Sequence, residues 1–202
     1  MNIAILGAGL LGRLLAYRLA QQGYHIDLYE RDGPSAQQSA AYIAASMLAP
    51  LAESATAARF ITELGLASLK IWPQWLAQLD TSRSSLQINA KESAPIFFQQ
   101  HGTLVLWHRH DEEEAQRFYQ RLDMPLAIRH HCAPQKIHAA ELAALEPSLA
   151  SRFAQGIYLP GEGQLDNRAL LDRLLVYVEL KNVRLQWQCH VAVDAIKAAS
   201  VI

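Results

Sequence analysis

Residues 1 to 31 constrain the fold more than any other part of this chain. Asn2 to Leu6 is a short apolar run of β character, and it empties into Gly7-Ala-Gly9-Leu-Leu-Gly12. That is the spacing of a dinucleotide-binding turn between a strand and a helix. Gly7 permits the tight turn, Gly9 lets backbone approach a pyrophosphate with no Cβ in the way, and Gly12 allows helix to pack closely on strand. An anion would then sit on the first N–H groups of the helix. Leu10, Leu11, Leu14, Leu15 and Leu19 recur at helical spacing and are expected to face a sheet, with Gly23 placed as a left-handed stop. A second strand, Tyr24 to Tyr29, ends at Glu30, eighteen positions past Gly12. A carboxylate there can accept both hydroxyls of an adenosine ribose. Strand, glycines, helix, strand and terminal acid in this order predict a bound adenine dinucleotide, against the plainer alternative of a structural glycine-rich turn.

With 202 residues, 51% of them hydrophobic, the chain has ample material for a core in one large domain or two small ones. Its net charge is −1 and its pI about 6.7, and no basic run exceeds two residues. Neither nucleic acid nor an anionic membrane is an expected partner. No uninterrupted apolar span reaches the length of a membrane helix, and the cytoplasm is the expected compartment. Cys132 and Cys189 stand 57 positions apart with no C-x-x-C, so two buried thiols are expected rather than a disulfide framework or a zinc knuckle. His108 and His110 share one face of an expected strand, and His130-His131 adjoin Cys132. Each group offers two ligands where zinc wants three or four in fixed geometry, so no metal is expected. No nucleophile signature of the G-x-S-x-G kind suggests hydrolysis.

After Asp32-Gly33-Pro34 the chain runs through small residues, from Ser35 to Ser46, into Met47-Leu-Ala-Pro50. Such a stretch lets backbone lie flat against something large and planar; the plainer reading is an alanine-rich helix packed on the sheet. Residues 53 to 79 read as one long helix, kinked at Gly65 and Pro73. Its Trp72 and Trp75 are read as core. Residues 80 to 95 are polar and irregular and read as a loop. From there the period becomes that of strands: Ile96 to Gln100 and Thr103 to His108 suggest a hairpin, Asp111 a helix cap, Leu126 to His131 a strand, and Lys136 to Leu145 a helix. Residues 80 to 160 thus read as an antiparallel sheet with surface helices, a second domain inserted into the first. Past Gly161-Glu-Gly-Gln-Leu-Asp166, Asp166 or Asn167 caps a helix carrying Leu170, Leu171, Leu174, Leu175 and Val178. Val183, Leu185, Trp187, Cys189, Val191 and Val193 then alternate as a strand.

Gly7 to Gly12, Glu30-Arg31, Ser39 to Pro50 with Glu53, His101 to Trp107, Leu145-Glu-Pro147 and Gly161 to Leu171, taken in order, resemble the flavin-dependent D-amino acid oxidase superfamily. Within it they are most similar to the glycine oxidase branch of thiamine biosynthesis. The resemblance spans nearly the whole chain, with one departure: the family usually has glycine directly before the methionine, where this sequence has Ser46. It implies an α/β fold, a Rossmann-like FAD-binding domain over 1–79 and 161–202 with an inserted antiparallel α+β substrate domain, in part, over 80–160.

The resemblance further implies FAD as cofactor. Gly7, Gly9, Leu10, Leu11 and Gly12 would hold the pyrophosphate, Glu30 the ribose and Arg31 the adenine side. Ala45, Ser46 and Met47 would line the flavin, Ala40 and Ala41 would also belong to the cofactor site, and Val191 would offer its backbone to the adenine. The activity implied is oxidation of glycine or another small amine or amino acid to the imino acid, with oxygen as electron acceptor and peroxide released. No catalytic side chain is identifiable. A flavin-dependent tRNA-modifying oxidase has a related domain, but no basic surface accompanies it here. The sequence also lacks a cation tied by any motif to a substrate carboxylate, Arg109 and Arg129 being merely available. It lacks too the later glycine-rich segment that closes over the flavin in the family. The competing expectation is therefore a truncated or split-enzyme module that binds the dinucleotide without catalysis of its own, completed by a C-terminal partner segment or as a homo-oligomer.

Overall fold

The computed structural model describes residues 2–83, 95–181, 183–192 and 200–201. In chain order its elements are β1 (Asn2–Leu6), α1 (Leu10–Gln21), β2 (His25–Tyr29), α2 (Ala40–Ile43), β3 (Met47–Leu48), α3 (Pro50–Glu53) and α4 (Arg59–Arg83). There follow β4 (Phe98–Gln99), β5 (Thr103–Leu106), a 3₁₀ turn at Arg109–Asp111, α5 (Glu112–Arg121), α6 (Met124–Arg129), β6 (Gln135–His138) and α7 (Ala139–Leu145). The last are β7 (Gln155–Leu159), β8 (Gly163–Leu165), α8 (Asn167–Leu180), β9 (Val183–Gln186) and β10 (Ser200–Val201). This is the mixed α/β architecture expected of the sequence. It divides into two compact units, one of Met1–Ser46, Arg83–Phe97 and Asp166–Ile202, the other of Met47–Ser82 and Phe98–Leu165. The division differs from the sequence-based boundaries mainly in α3 and α4. Leu51, Leu66 and Leu69 of those helices bury against Leu122, Leu126, Ile157 and Leu159, so they belong with the antiparallel sheets.

The first unit is a parallel sheet in the order β10-β1-β2-β9, with Ile3 beside Ile26 and Ile26 beside Val183. Parallel strands need crossovers and are buried on their faces. Accordingly β1 reads as an apolar run, while β2 alternates and buries Ile26 and Leu28; Ile3, Ile5, Ile26, Leu28 and Val178 share one core. Helix α1 packs through small residues. Gly12 and Ala16 are buried, Leu15 and Leu19 only partly cover the core, and Leu11 is 72% exposed. The expectation that all five leucines face the sheet is therefore corrected: Leu15 and Leu19 pack on the core from its flank, Gly12 and Ala16 take the closest approach, and Leu11 turns to solvent. Tyr17 meets Tyr177 of α8 edge to face at 5.1 Å. Gly23 ends α1 at φ +83°, as its position predicts.

Strand β9 is shorter than the alternation from Val183 to Val193 suggests. Gln188 adopts φ +53°, and the backbone turns there so that Gln188 and Cys189 donate N–H groups to the carbonyls of Asp32 and Glu30. Val193 lies outside the described residues, as does most of the loop read over 80–95.

The second unit holds two antiparallel sheets, β3-β8-β4 and β5-β7-β6. The expected hairpin of Ile96–Gln100 with Thr103–His108 does not form, because β4 pairs with β8 and β5 with β7. The partners lie some sixty residues away, with β4 held to β8 over two residue pairs and β5 to β7 over four. Residues 126–129 are helical rather than extended, and His130 and His131 form the turn that ends the helix. Asp123 accepts the Leu126 N–H at 3.0 Å, and Pro125 occupies the first turn, where its missing N–H costs nothing. Of the expected helix over 136–145, the first part is β6, and α7 starts only after His138. Asp111 precedes α5 without a side-chain cap.

The segment read as one helix from 53 is two. Helix α3 ends at Glu53 and α4 starts only at Arg59; Glu162, 1% exposed, accepts the N–H groups of Leu51 and Ala52 on its Oε1, each at 2.8 Å, and so caps the N-terminus of α3. Helix α4 continues through Pro73. Gly65 serves as a contact rather than a break, since a Cβ there would stand 2.6 Å from the Cβ of Pro50.

Candidate functional site

The mouth of the first unit is built where β1 ends. Gly7 turns out of the strand at φ +104°, a conformation that disfavours any side chain. A Cβ on Gly12 would lie 1.8 Å from the Gly7 carbonyl oxygen, so the helix can start here only because both residues are glycine. Gly9 is the N-cap of α1, and having no side chain it caps nothing. The leading N–H groups of a helix have no partner within it. Those of α1 point outward beside the glycine turn with the positive end of the helix behind them. This is a cradle for an anion, with a Cβ at Gly9 reaching only ordinary contact with the Ser39 Cβ at 3.7 Å.

Glu30 is already oriented. Its Oε2 accepts the Ala8 N–H at 2.6 Å and its Oε1 accepts the Asp32 N–H at 3.1 Å. A carboxylate has about four lone-pair sites, so two remain for ligand hydroxyls. Arg31 is 63% exposed and lies 3.5 Å from Asp32, a pairing that contributes little at the surface.

A cavity of about 470 Å³ opens beside these groups, lined among others by Gly7, Gly9, Glu30, Arg31, Ala40 and Val191. Sequence reasoning named all six. Adjoining it through Gly7, Gly9, Ser39 and Ala40 is a second concavity of about 550 Å³, walled by Leu10, Leu11, Gly12, Leu14 and Ala41. Ala45 and Ser46 line neither, and Met47 belongs to the second unit.

Four contributors escaped the sequence reading. Ser39 caps α2, accepting the Tyr42 N–H at 3.2 Å, and reaches both concavities. Cys189 lines the first cavity and is half-buried, where a buried thiol was expected. Cys132 is the buried one, and burial pushes its thiol up from the ordinary value. Asn167, beside the true cap Asp166, donates through Nδ2 to the carbonyls of Ala41 and Ala44 and accepts the Ser46 hydroxyl at 2.7 Å. Arg13 is wholly buried directly behind the turn. A polar residue next to a motif is a signal available from sequence, but not one that says where the side chain goes. Among the described residues no group of three or more His, Cys, Asp or Glu could hold a metal. No described helix is long and apolar enough to cross a membrane.

A relative from Rhizobium etli, which bears the provisional name thiamine biosynthesis oxidoreductase ThiO, is 28% identical over 92% of this chain and 48% of its own length. The glycine oxidase of Geobacillus kaustophilus has the same fold, with a TM-score of 0.70 at 22% identity over 92% of this chain and 46% of that one. The glycine oxidase of Bacillus cereus superposes equally well, with a TM-score of 0.70 at 19% identity over 92% and 47%. The chain spans about half the length of the relatives it matches. Residues 2–199 match the family of FAD-dependent oxidoreductases known as DAO, and the chain belongs to that family.

Proposed function

We propose that the first unit holds the ADP part of FAD, and that the chain is the cofactor-binding portion of an oxidase acting on glycine or a similarly small amino acid. The observation that carries this reading is the cavity in which the uncapped start of α1, the glycine turn and a pre-oriented Glu30 converge. The N–H groups of Leu10, Leu11 and Gly12 would receive the pyrophosphate. Glu30 would accept the ribose hydroxyls with its remaining lone pairs, Arg31 would flank the adenine, and the backbone at Val191 would meet its edge. The small residues Ala40, Ala41, Ala45 and Ser46 of the first unit would lie along the remainder of the cofactor.

Bound FAD would supply a ring able to take a hydride from the substrate's α-carbon, giving the imino acid and, with oxygen, peroxide. What the chain's residues contribute is binding and orientation. Arg129 is held by Glu63 at 2.8 Å.

The test is in two stages. Purified protein should be yellow or take up added FAD, and Gly9→Val should abolish uptake by placing a branched side chain in the anion cradle. FAD-saturated protein is then assayed for peroxide release with glycine, sarcosine and D-alanine. A chain that binds NAD but never FAD would refute the assignment. A second reading, a binding module completed by a separate polypeptide, is favoured by the half-length match to the relatives. FAD uptake without turnover, with turnover restored by a supplied C-terminal segment, would select it.

A further inference from the structure

Arg13 is the least expected residue of the first unit. It lies in the opening turn of α1, where the helix already presents positive charge, and it is 0% exposed. Burying a guanidinium there costs on two counts, desolvation and the unfavourable end of the helix dipole. Burial accordingly lowers its pKa, while Asp172, Glu30 and Glu179 pull the other way from a distance. No described carboxylate touches it. Its hydrogen bonds go to three backbone carbonyls: Nε donates to Ala8 at 2.7 Å, one terminal nitrogen to Leu171 at 2.8 Å, and the other to Pro34. A hydrophobic residue of similar length would fill the space without that expense, so the charge calls for a reason.

The Ala8 peptide supplies one. Its N–H is held by Glu30 at 2.6 Å and its carbonyl by Arg13 at 2.7 Å. One peptide unit inside the glycine turn is therefore gripped from both sides, by the carboxylate facing the cavity and by a cation beneath it. The third grip, on Pro34, fixes the turn that follows Glu30 and Arg31. We infer that Arg13 is a positioning residue for the pyrophosphate: it locks the glycine turn, and its charge, in ion-pair contact with no described carboxylate, favours the anion bound on the other side of that turn. A buried cation acts through a medium of low effective dielectric and is poorly screened by salt. The inference rests on the reading that this cavity takes the ADP part of FAD.

The experiment is calorimetric titration of the whole chain with ADP and with adenosine, comparing wild type, Arg13→Met and Arg13→Lys, with melting temperatures recorded for each. The selectivity for ADP over adenosine is the readout, since a mere brace would alter both ligands alike. Arg13→Met should lose about tenfold in ADP affinity while adenosine changes by less than about twofold. Arg13→Lys keeps the charge without the fork, and its selectivity should stay within about threefold of wild type. Equal losses for both ligands in Arg13→Met, or unchanged selectivity, would overturn the inference while leaving the cofactor reading intact. If Arg13→Met does not fold, Arg13→Lys decides, and a collapse of its ADP selectivity to that of an uncharged site overturns the role of charge. Failure of wild type to bind ADP at all would overturn both the inference and the reading beneath it.

Discussion

Replacing Ser46 by alanine and by glycine separates two energies that meet at one residue. Ser46 has φ +66°, a left-handed conformation that costs a residue with a Cβ about 1 to 2 kcal/mol. Its hydroxyl donates to Oδ1 of Asn167 at 2.7 Å, and Asn167 is only 8% exposed. Ser46→Ala keeps the strained Cβ and removes the donor. The cost is that of a buried acceptor losing its partner, about 1 to 2 kcal/mol. Ser46→Gly removes the same donor but also the strain, offset in part by glycine's greater freedom when unfolded, and should be milder than alanine by about 1 kcal/mol. At this chain length 1 kcal/mol moves a melting temperature by about 2 to 4 °C. Urea unfolding of the cofactor-free protein, followed by circular dichroism and by tryptophan fluorescence, measures both differences; coincident traces are the condition for quoting a free energy. Alanine as stable as wild type would show that the Asn167 bond contributes nothing. Alanine more stable than glycine would refute the strain argument. The usual glycine of the family at this position follows from the same φ, and serine is tolerated here because Asn167 is within reach.

Three further expectations follow from named contacts. Gly12→Ala should prevent a stable first unit, because its Cβ would sit 1.8 Å from a carbonyl oxygen that cannot retreat; soluble protein with an unchanged melting temperature would contradict this. Glu30→Gln keeps the size but weakens the charge-assisted bonds to ribose, so FAD affinity should fall by about 1 to 2 kcal/mol by calorimetry, and an unchanged affinity would remove Glu30 from the site. Burial holds the Glu162 carboxyl above its ordinary pKa, so between the unfolded and the folded pKa the folded state binds the extra proton and stability falls as pH rises through that window. Glu162→Gln retains an acceptor for Leu51 and Ala52 without the charge. It should flatten that slope and match or exceed wild type at neutral pH in a melting series, whereas a steeper slope would show that the carboxylate form is favoured.

What the sequence revealed was local. The β1-α1-β2 unit and Glu30 were legible because each link lies within about thirty residues and is steric: a glycine either fits the turn or the helix cannot begin. The antiparallel half was misread where pairing is distant. Phe98 and Thr103 look like opposite arms of a hairpin until Leu165 and Leu159 arrive to claim them. Leu126 to His131 has strand composition, but Asp123 and Pro125 just before it start a helix, and that capping signal outweighed the pattern. Gln188 broke a regular alternation because Glu30 and Asp32 offer carbonyls to its turn. Arg13 and Asn167 were invisible for a different reason. Their partners lie 158 and 121 positions away, and no periodicity carries that information.

Asp27 on β2 and Arg184 on β9, hydrogen-bonded at 2.6 Å, are 157 positions apart in the chain, which sets a clock on biosynthesis. At a translation rate of about 5 to 20 residues per second, β2 waits roughly 8 to 30 s for the neighbour that completes its edge. During that interval the whole antiparallel unit leaves the ribosome, and it can fold while the glycine turn is still without α8, Leu171 and Asn167. Closing so long a loop adds only slowly to the entropic cost, but it delays the step in time. The nascent β1-α1-β2 unit, with Ile26 and Leu28 uncovered, is the species that chaperones would meet. Slower translation after residue 165 would lengthen that exposure, and faster translation would shorten it.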